Sequence, residues 1–240
     1  MANKANWPAP QNIHTLITIQ SDLPGTFYNR KLTNVQRRHP LYSRRTQKDI
    51  AHNIQPSVIQ YLKQADSNHC AYVNNLGHIR SADASITKLS QTALSVYTAD
   101  CLPILFTDHS GSFVGTVHAG WKGLYSEIIP STLKKIDRPM SELIFWIGPC
   151  ISAKYYEVSS EFKNKFTTHN ADSASFFSHL EQSIFFDLRG YACNQLQQMG
   201  AHNIHHSIDC TYDNPSLPSY RQSGLKLTDR ILCLIWKTIV

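Results

Sequence analysis

Apolar and polar positions change rhythm at about residue 92. Beyond that point the chain reads as strands. Thr92–Tyr97 (TALSVY) and Leu102–Phe106 (LPILF) are short apolar runs split by the polar Thr98-Ala99-Asp100. Phe113–Val117 follows the turn signal Asp108-His109-Ser110-Gly111. After His118 the period becomes helical: Trp121, Leu124, Ile128, Ile129 and Leu133 share a face, and Lys134 and Lys135 suit a helix C-terminus. Pro130 lies inside this pattern and is expected to kink or split it. Leu143–Ile147 reads as a buried strand ending at Gly148-Pro149. One helix is expected from about Glu157 to Phe166. A second is expected from an Asp187 N-cap to Met199, with Gly200 closing it. Strands Ile204–Ile208 and Ile231–Ile235 complete the pattern. Strands and helices intermixed without strict βαβ alternation predict an α/β (α+β) fold with mixed sheets. No G-x-G-x-x-G or P-loop glycine pattern occurs, which argues against a Rossmann fold.

The 240 residues predict a single domain over 1–240. An apolar share of 42% excludes disordered and fibrous classes, and the charged share is 17% against a usual value of about 25%. The net charge of +6 permits anionic ligands without requiring nucleic acid. The first 60 residues are the most polar and hold the basic cluster Arg37-Arg38-His39-Pro40 with Arg44-Arg45. That cluster reads as a solvated loop, or as a phosphate or substrate contact, and lacks the interleaved aromatics of a nucleic-acid patch. The six cysteines are scattered and form no C-x-x-C pair, so reduced thiols are expected. No secretory signal is visible, and apolar runs such as Ile231–Trp236 fall far short of the roughly 20 residues of a membrane span. A cytoplasmic protein with no membrane and no nucleic-acid partner is expected.

Thr98–Gly123 carries the most chemistry. Cys101 ends one strand region and His118, 17 residues on, ends another. A hairpin brings such positions together. The pair is then a thiolate–imidazole nucleophile, two ligands of a zinc site, or a buried cysteine beside an unrelated histidine. Gly120 and Gly123 let backbone approach closely, and Lys122 adds a positive charge beside a helix N-terminus. Trp121 offers a flat face for a base, or is core. Asp100 needs a cation or a backbone turn as partner if buried. Cys150, where a strand meets a loop, is core or site wall, and Cys210 has the same two readings. Arg221 is the candidate clamp for a phosphate or carboxylate.

TADCLPILF, VHAGWKGL, IGPCIS followed by YEV, and CTYD followed by SYR resemble the signature blocks of the multicopper polyphenol oxidase (laccase-domain) family. That family is also called the purine nucleoside phosphorylase or peptidoglycan-editing factor family. The blocks run in order over residues 64–236, with Ala82-Asp83-Ala84 at the family's A-D-A element, and leave residues 1–60 divergent.

The resemblance implies a fold of the cysteine-hydrolase type and one zinc ion held by His, Cys and His. Cys101 and His118 match the second and third ligands. The first falls in a Q-V-H-G element, which here reads Gln64-Ala65-Asp66-Ser67, so Asp66 stands in the histidine's place, with His69 as a nearby alternative. A carboxylate binds zinc, but it is shorter than imidazole and makes a bound water less acidic. The family's N-terminal segment is not recognisable in Gly25–Asn34, and Asp229 replaces a common glycine. Copper chemistry is disfavoured: the twelve histidines include no H-x-H pair, and His202, His205 and His206 read as a solvated loop.

The implied function is zinc-dependent phosphorolysis of purine nucleosides (adenosine, inosine, methylthioadenosine), with adenosine deamination as a second activity and nucleoside and phosphate as partners. Cys101 and His118 are the expected catalytic residues; Asp100, Trp121, Lys122, Arg221 and Cys150 are the expected substrate contacts. Two alternatives stand beside it. One is amide hydrolysis in a peptidoglycan precursor by zinc-water or a Cys101 thiolate. The other is a homologue impaired by Asp66.

Overall fold

The computed structural model describes residues 3–19, 56, 58–75, 80–224 and 229–239. The Arg37–Arg45 cluster and Gly25–Asn34 lie outside them. In chain order the strands are β1 (Ile13–Ile19), β2 (Val58–Gln60), β3 (Leu62–Lys63), β4 (Cys70–Tyr72), β5 (Arg80–Ser81), β6 (Ala84–Thr87), β7 (Thr92–Thr98), β8 (Leu102–Asp108), β9 (Val114–Ala119), β10 (Leu143–Ile147), β11 (Glu157–Val158), β12 (Phe177–Leu180), β13 (Ser183–Phe186), β14 (Asn203–His206) and β15 (Ile231–Lys237). The helices are α1 (Trp121–Tyr125), α2 (Ile128–Leu133), α3 (Ser160–His169), α4 (Leu188–Gln198) and α5 (Tyr220–Ser223).

A six-stranded mixed sheet, ordered β14-β10-β8-β9-β6-β4, forms the middle layer. A four-stranded sheet, β1-β15-β7-β2, packs on one of its faces. The period-two side-chain rule explains how β8 serves both layers. Leu102, Ile104 and Phe106 face the helices, whereas Leu105 packs with residues of the other sheet, Leu94 and Val96 among them. On the helical face, Leu124, Ile128, Leu133, Tyr191 and Leu196 close the core. Gly115 sits directly across from Phe106, and its missing side chain is what admits the ring: a Cβ there would lie 2.0 Å from Phe106 Cζ.

The predicted helix after His118 is two helices, as expected, but Pro130 is not the breaker. The break falls at Glu127, in the left-handed region at φ 62°, and Pro130 occupies the first turn of α2. An N–H is dispensable in a first turn, so proline is tolerated there. Asp187 does cap α4, its carboxylate accepting the Gly190 N–H at 2.9 Å, and Gly200 takes φ 90° beyond the helix. The helix expected from Glu157 begins three residues later: Glu157–Val158 pair with β13, and Ser159 caps α3 by accepting the Phe162 N–H. His205 and His206 belong to β14, paired with β10, rather than to a loop, and Ile208 beyond them is exposed. Among the described residues no helix is long and apolar enough to cross a membrane.

Candidate functional site

The hairpin register decides the central question. β8 and β9 are antiparallel, with Pro103 opposite His118 and Leu102 opposite Ala119, which brings Cys101 across from Gly120. The thiol of Cys101 lies within hydrogen-bonding reach of the His118 imidazole. The antiparallel pairing of β9 with β6 then puts Asp83 beside His118 on its other flank. His118 N–H donates to the Asp83 carbonyl at 2.6 Å, and its ring Nδ1 lies 2.9 Å from Asp83 Oδ1.

Asp83 is fully buried and satisfied several times over. Its carboxylate accepts the N–H groups of Ala65, Asp66 and Ser67 and the Ser67 hydroxyl, as well as the imidazole. Burial opposes its charge, but the bonds from His118 and Ser67 prevail and pull its pKa down to about 2. Burial likewise disfavours a charged His118, yet the Asp83 and Cys101 bonds prevail and push its pKa up to about 10. With Nδ1–H committed to Asp83, Nε2 is the ring nitrogen left for a proton or a metal. Sequence reasoning assigned Asp83 no role. The A-D-A block was its only signal.

These groups open onto a cleft of about 490 Å³ lined by Asp66, Asp100, Cys101, His118, Trp121, Tyr156, Tyr220, Arg221 and Arg230, among others. Gln64 holds the loop leading to Asp66. Its side-chain amide donates to the Tyr97 carbonyl at 2.9 Å and accepts the Tyr97 N–H at 3.0 Å. Asp66 then turns with φ 55°, a conformation aspartate tolerates. That turn swings His69 away: it is exposed and lines a separate surface hollow with Arg80 and Lys135, so it is not an alternative to Asp66 at the cleft.

The other expected contacts divide. Asp100 reaches the cleft, but both its oxygens are engaged, one by the Thr211 hydroxyl and one by the Arg221 N–H, each at 2.6 Å. It staples two loops together in the left-handed conformation, φ 88°. Arg221 lies at the rim, stacked over Tyr156 at 5.0 Å, with Nη1 donating to the Glu157 carbonyl at 2.7 Å. Lys122 Nζ lies 3.4 Å from Asp66 Oδ2; both side chains are half exposed, so the contact is weak and readily exchanged. Trp121 is a wall rather than a free plate: Phe162 packs edge-on against it at 5.3 Å, and Lys122 and Lys165 approach its ring. Cys150 is placed elsewhere. It is fully buried, does not line the cleft, and contacts Arg189. Arg230, on the cleft wall, was not singled out from the sequence because nothing local distinguishes it from a solvated arginine.

The donor set suits zinc in kind: a thiol, an imidazole braced by a carboxylate, and a second carboxylate. It also leaves room. A Cβ at Gly120 would meet Cys101 Sγ at 2.9 Å and Asp66 Oδ1 at 3.4 Å, so a bare backbone cradle separates the two donors. Among the described residues no three such side chains are gathered closely enough to grip an ion as they stand. Cys101 and His118 lie side by side, while Asp66 is turned to Lys122.

The model of the multi-copper polyphenol oxidoreductase laccase family matches residues 32–238. The chain belongs to that family. A purine nucleoside phosphorylase of Pseudomonas aeruginosa is 35% identical over 65% of this chain; the chain spans 64% of that relative, just under two thirds. Proteins of the same name from Rickettsia prowazekii and Haemophilus influenzae are 32% and 28% identical over 82% and 96% of the chain. A Neisseria meningitidis protein of solved structure superposes with a TM-score of 0.83 at 29% identity, covering 99% of both chains. One from Bacillus licheniformis, at 20% identity and a TM-score of 0.78, shares the fold over 94% of this chain and 93% of its own.

Proposed function

We propose that this protein cleaves purine nucleosides by phosphorolysis, transferring the ribosyl group from base to phosphate. The observation that carries the reading is the Cys101–His118–Asp83 line opening onto a cleft whose wall bears Arg221 and Arg230. The relatives' shared name supports it. Arg221 and Arg230 would hold the phosphate, Arg221 with the guanidinium nitrogens not spent on Glu157. Tyr156 and Tyr220 would flank the nucleoside. Asp100 keeps the Arg221 loop in register with β8, which fixes the distance between phosphate and sugar.

Cys101, His118 and Asp66 would hold a zinc ion, which as a Lewis acid would stabilise developing negative charge and favour adenosine deamination as a second activity. Asp83 fixes the imidazole tautomer that makes Nε2 a ligand, and a proton competes with the ion for that nitrogen.

The test is incubation of the purified protein with adenosine or inosine, with and without phosphate, and chromatography of the products. Phosphate-dependent release of adenine or hypoxanthine with ribose 1-phosphate, lost in Cys101→Ala and His118→Ala, supports the reading; no release overturns it. Zinc content measured alongside, in the native protein and in Asp66→His, separates an impaired site from an active one. A second reading has its own observation: thiol, imidazole and buried carboxylate in line also suit amide cleavage by a Cys101 nucleophile. Release of an amino acid from a muramyl-peptide nucleotide would favour it.

A further inference from the structure

Behind the cleft wall two thiols stand side by side. Cys150, just past β10, and Cys210 face each other residue to residue in an isolated parallel bridge, closed by the Thr211 N–H donating to the Cys150 carbonyl at 3.1 Å. Residues paired in this way have backbones about 4.8 Å apart and side chains on the same face. Disulfides join Cα atoms roughly 4.4–6.8 Å apart. All six cysteines are free thiols, and this is the pair that the backbone itself places in register.

The two differ in a way that assigns roles. Cys210 is partly exposed, and its sulfur accepts the Ser152 N–H at 3.3 Å. Burial raises its pKa, but the bonds from Ser152 and from the N–H groups of Asp213 and Tyr212 prevail and hold it below the ordinary thiol value. Cys150 is fully buried, its pKa pushed up to about 11 by burial, with Arg189 Nη2 3.3 Å from its sulfur.

We propose that Cys150 and Cys210 are an oxidisable dithiol that closes to a reversible disulfide, with Cys210 reacting first and Cys150 resolving. The Cys210 thiolate attacks a hydroperoxide oxygen; the O–O bond breaks, leaving a sulfenic acid on Cys210 and releasing hydroxide or alkoxide. Cys150 sulfur then attacks the Cys210 sulfur. The S–S bond forms, the sulfenic oxygen leaves as water, and the Cys150 proton is given up. Two thiols are oxidised and one peroxide is reduced.

The pair also touches the cleft. Thr211, the residue after Cys210, donates its hydroxyl to Asp100, whose other oxygen holds the Arg221 N–H. Drawing Cys210 toward Cys150 displaces Thr211 and loosens Arg221. This consequence for activity rests on the proposed function; the disulfide itself does not.

The full chain is treated with stoichiometric hydrogen peroxide, alkylated and digested without reduction for mass spectrometry. The expected result is a peptide linking Cys150 to Cys210 that dithiothreitol separates. With dimedone present during oxidation, Cys210 is labelled, and Cys150→Ser increases that labelling. No linked peptide, or a link between other cysteines, overturns the proposal. The wild-type map decides this even where Cys150→Ser fails to fold. Nucleoside cleavage is expected to fall at least tenfold on oxidation, to return with dithiothreitol, and to resist peroxide in Cys210→Ser. Loss of activity without the linked peptide counts against the pair. The linked peptide in a protein without nucleoside cleavage counts against the proposed function alone.

Discussion

Asp83→Asn isolates the buried carboxylate on which the site rests. Every group facing Asp83 is a donor: three N–H groups, the Ser67 hydroxyl and the His118 ring. An asparagine presents an amide NH₂ to one half of that set however it is turned. Against Ser67 it faces an N–H and a hydroxyl that each bonded at 2.6 Å. Against the other side it faces the Asp66 N–H and His118. Two routes give the magnitude. The pKa of the carboxyl drops from an ordinary 3.8 to about 2, which at about 1.4 kcal/mol per unit favours the charged form by roughly 2–3 kcal/mol. Loss of a hydrogen bond to a charged group costs about 1.5–3 kcal/mol. A loss of about 2–4 kcal/mol is therefore expected, or a fall in melting temperature on the order of 5–15 °C for a chain of this size. Calorimetry at pH 7 reads the shift. At temperatures where the variant stays folded, nucleoside cleavage is expected to drop by about 10–100-fold as the imidazole loses its brace. A variant melting within about 2 °C of the parent would refute the argument that the carboxylate organises residues 65–67.

Gly120→Ala should act on chemistry rather than stability: the backbone at φ −76° accepts alanine, but the methyl would press on Cys101 Sγ at 2.9 Å, so kcat should fall on the order of 10²-fold with little change in melting temperature. Gly115→Ala should do the reverse, forcing the Phe106 ring out of its place in the core at a cost of about 1–3 kcal/mol or more in urea unfolding. Acid should destabilise the protein below about pH 4. Burial works against the Asp108 charge, but bonds from Ser112 and Ser110 and the nearby Arg138 hold its pKa below the ordinary value, as similar bonds do for Asp83. A lowered folded pKa gives stability that is fully present above the unfolded value and is lost as pH falls from there through the folded one. Asp108→Asn should therefore be less stable at pH 7 and show a shallower acid limb in melting temperature against pH.

Much of the fold was legible because local signals and tertiary packing agree. The apolar runs of β7, β8 and β10, the Asp187 cap and the Gly200 stop all belong to that class. Cys101 and His118 were legible as candidates because a hairpin turn signal lies between them. Their register was not, since it depends on where β9 begins. The three-stranded sheet of β11, β12 and β13 was not legible either: its strands are two to four residues long and largely half-exposed, and periodicity needs a longer window. Pro130 misled because a proline's effect depends on its distance from a helix start, and the second start at Ile128, two turns after Trp121, left no signal in the apolar spacing. Asp83 bonds partners 16 to 35 residues away, and Arg230 reaches the cleft wall from just before β15; nothing in their immediate neighbours reports either placement.

Gln64 substitutes a side chain for main chain. Its carboxamide presents to Tyr97 the same paired donor and acceptor that a peptide unit would, so β7 keeps its bonding while the polypeptide peels off toward Asp66. The surrogate works because the amide group carries both polarities. A glutamate has only the acceptor, and an asparagine, one methylene shorter, cannot reach. Chemistry at the mouth of the cleft therefore depends on a lining residue whose amide is spent on the main chain, and the polypeptide's departure from the sheet is encoded in a single functional group.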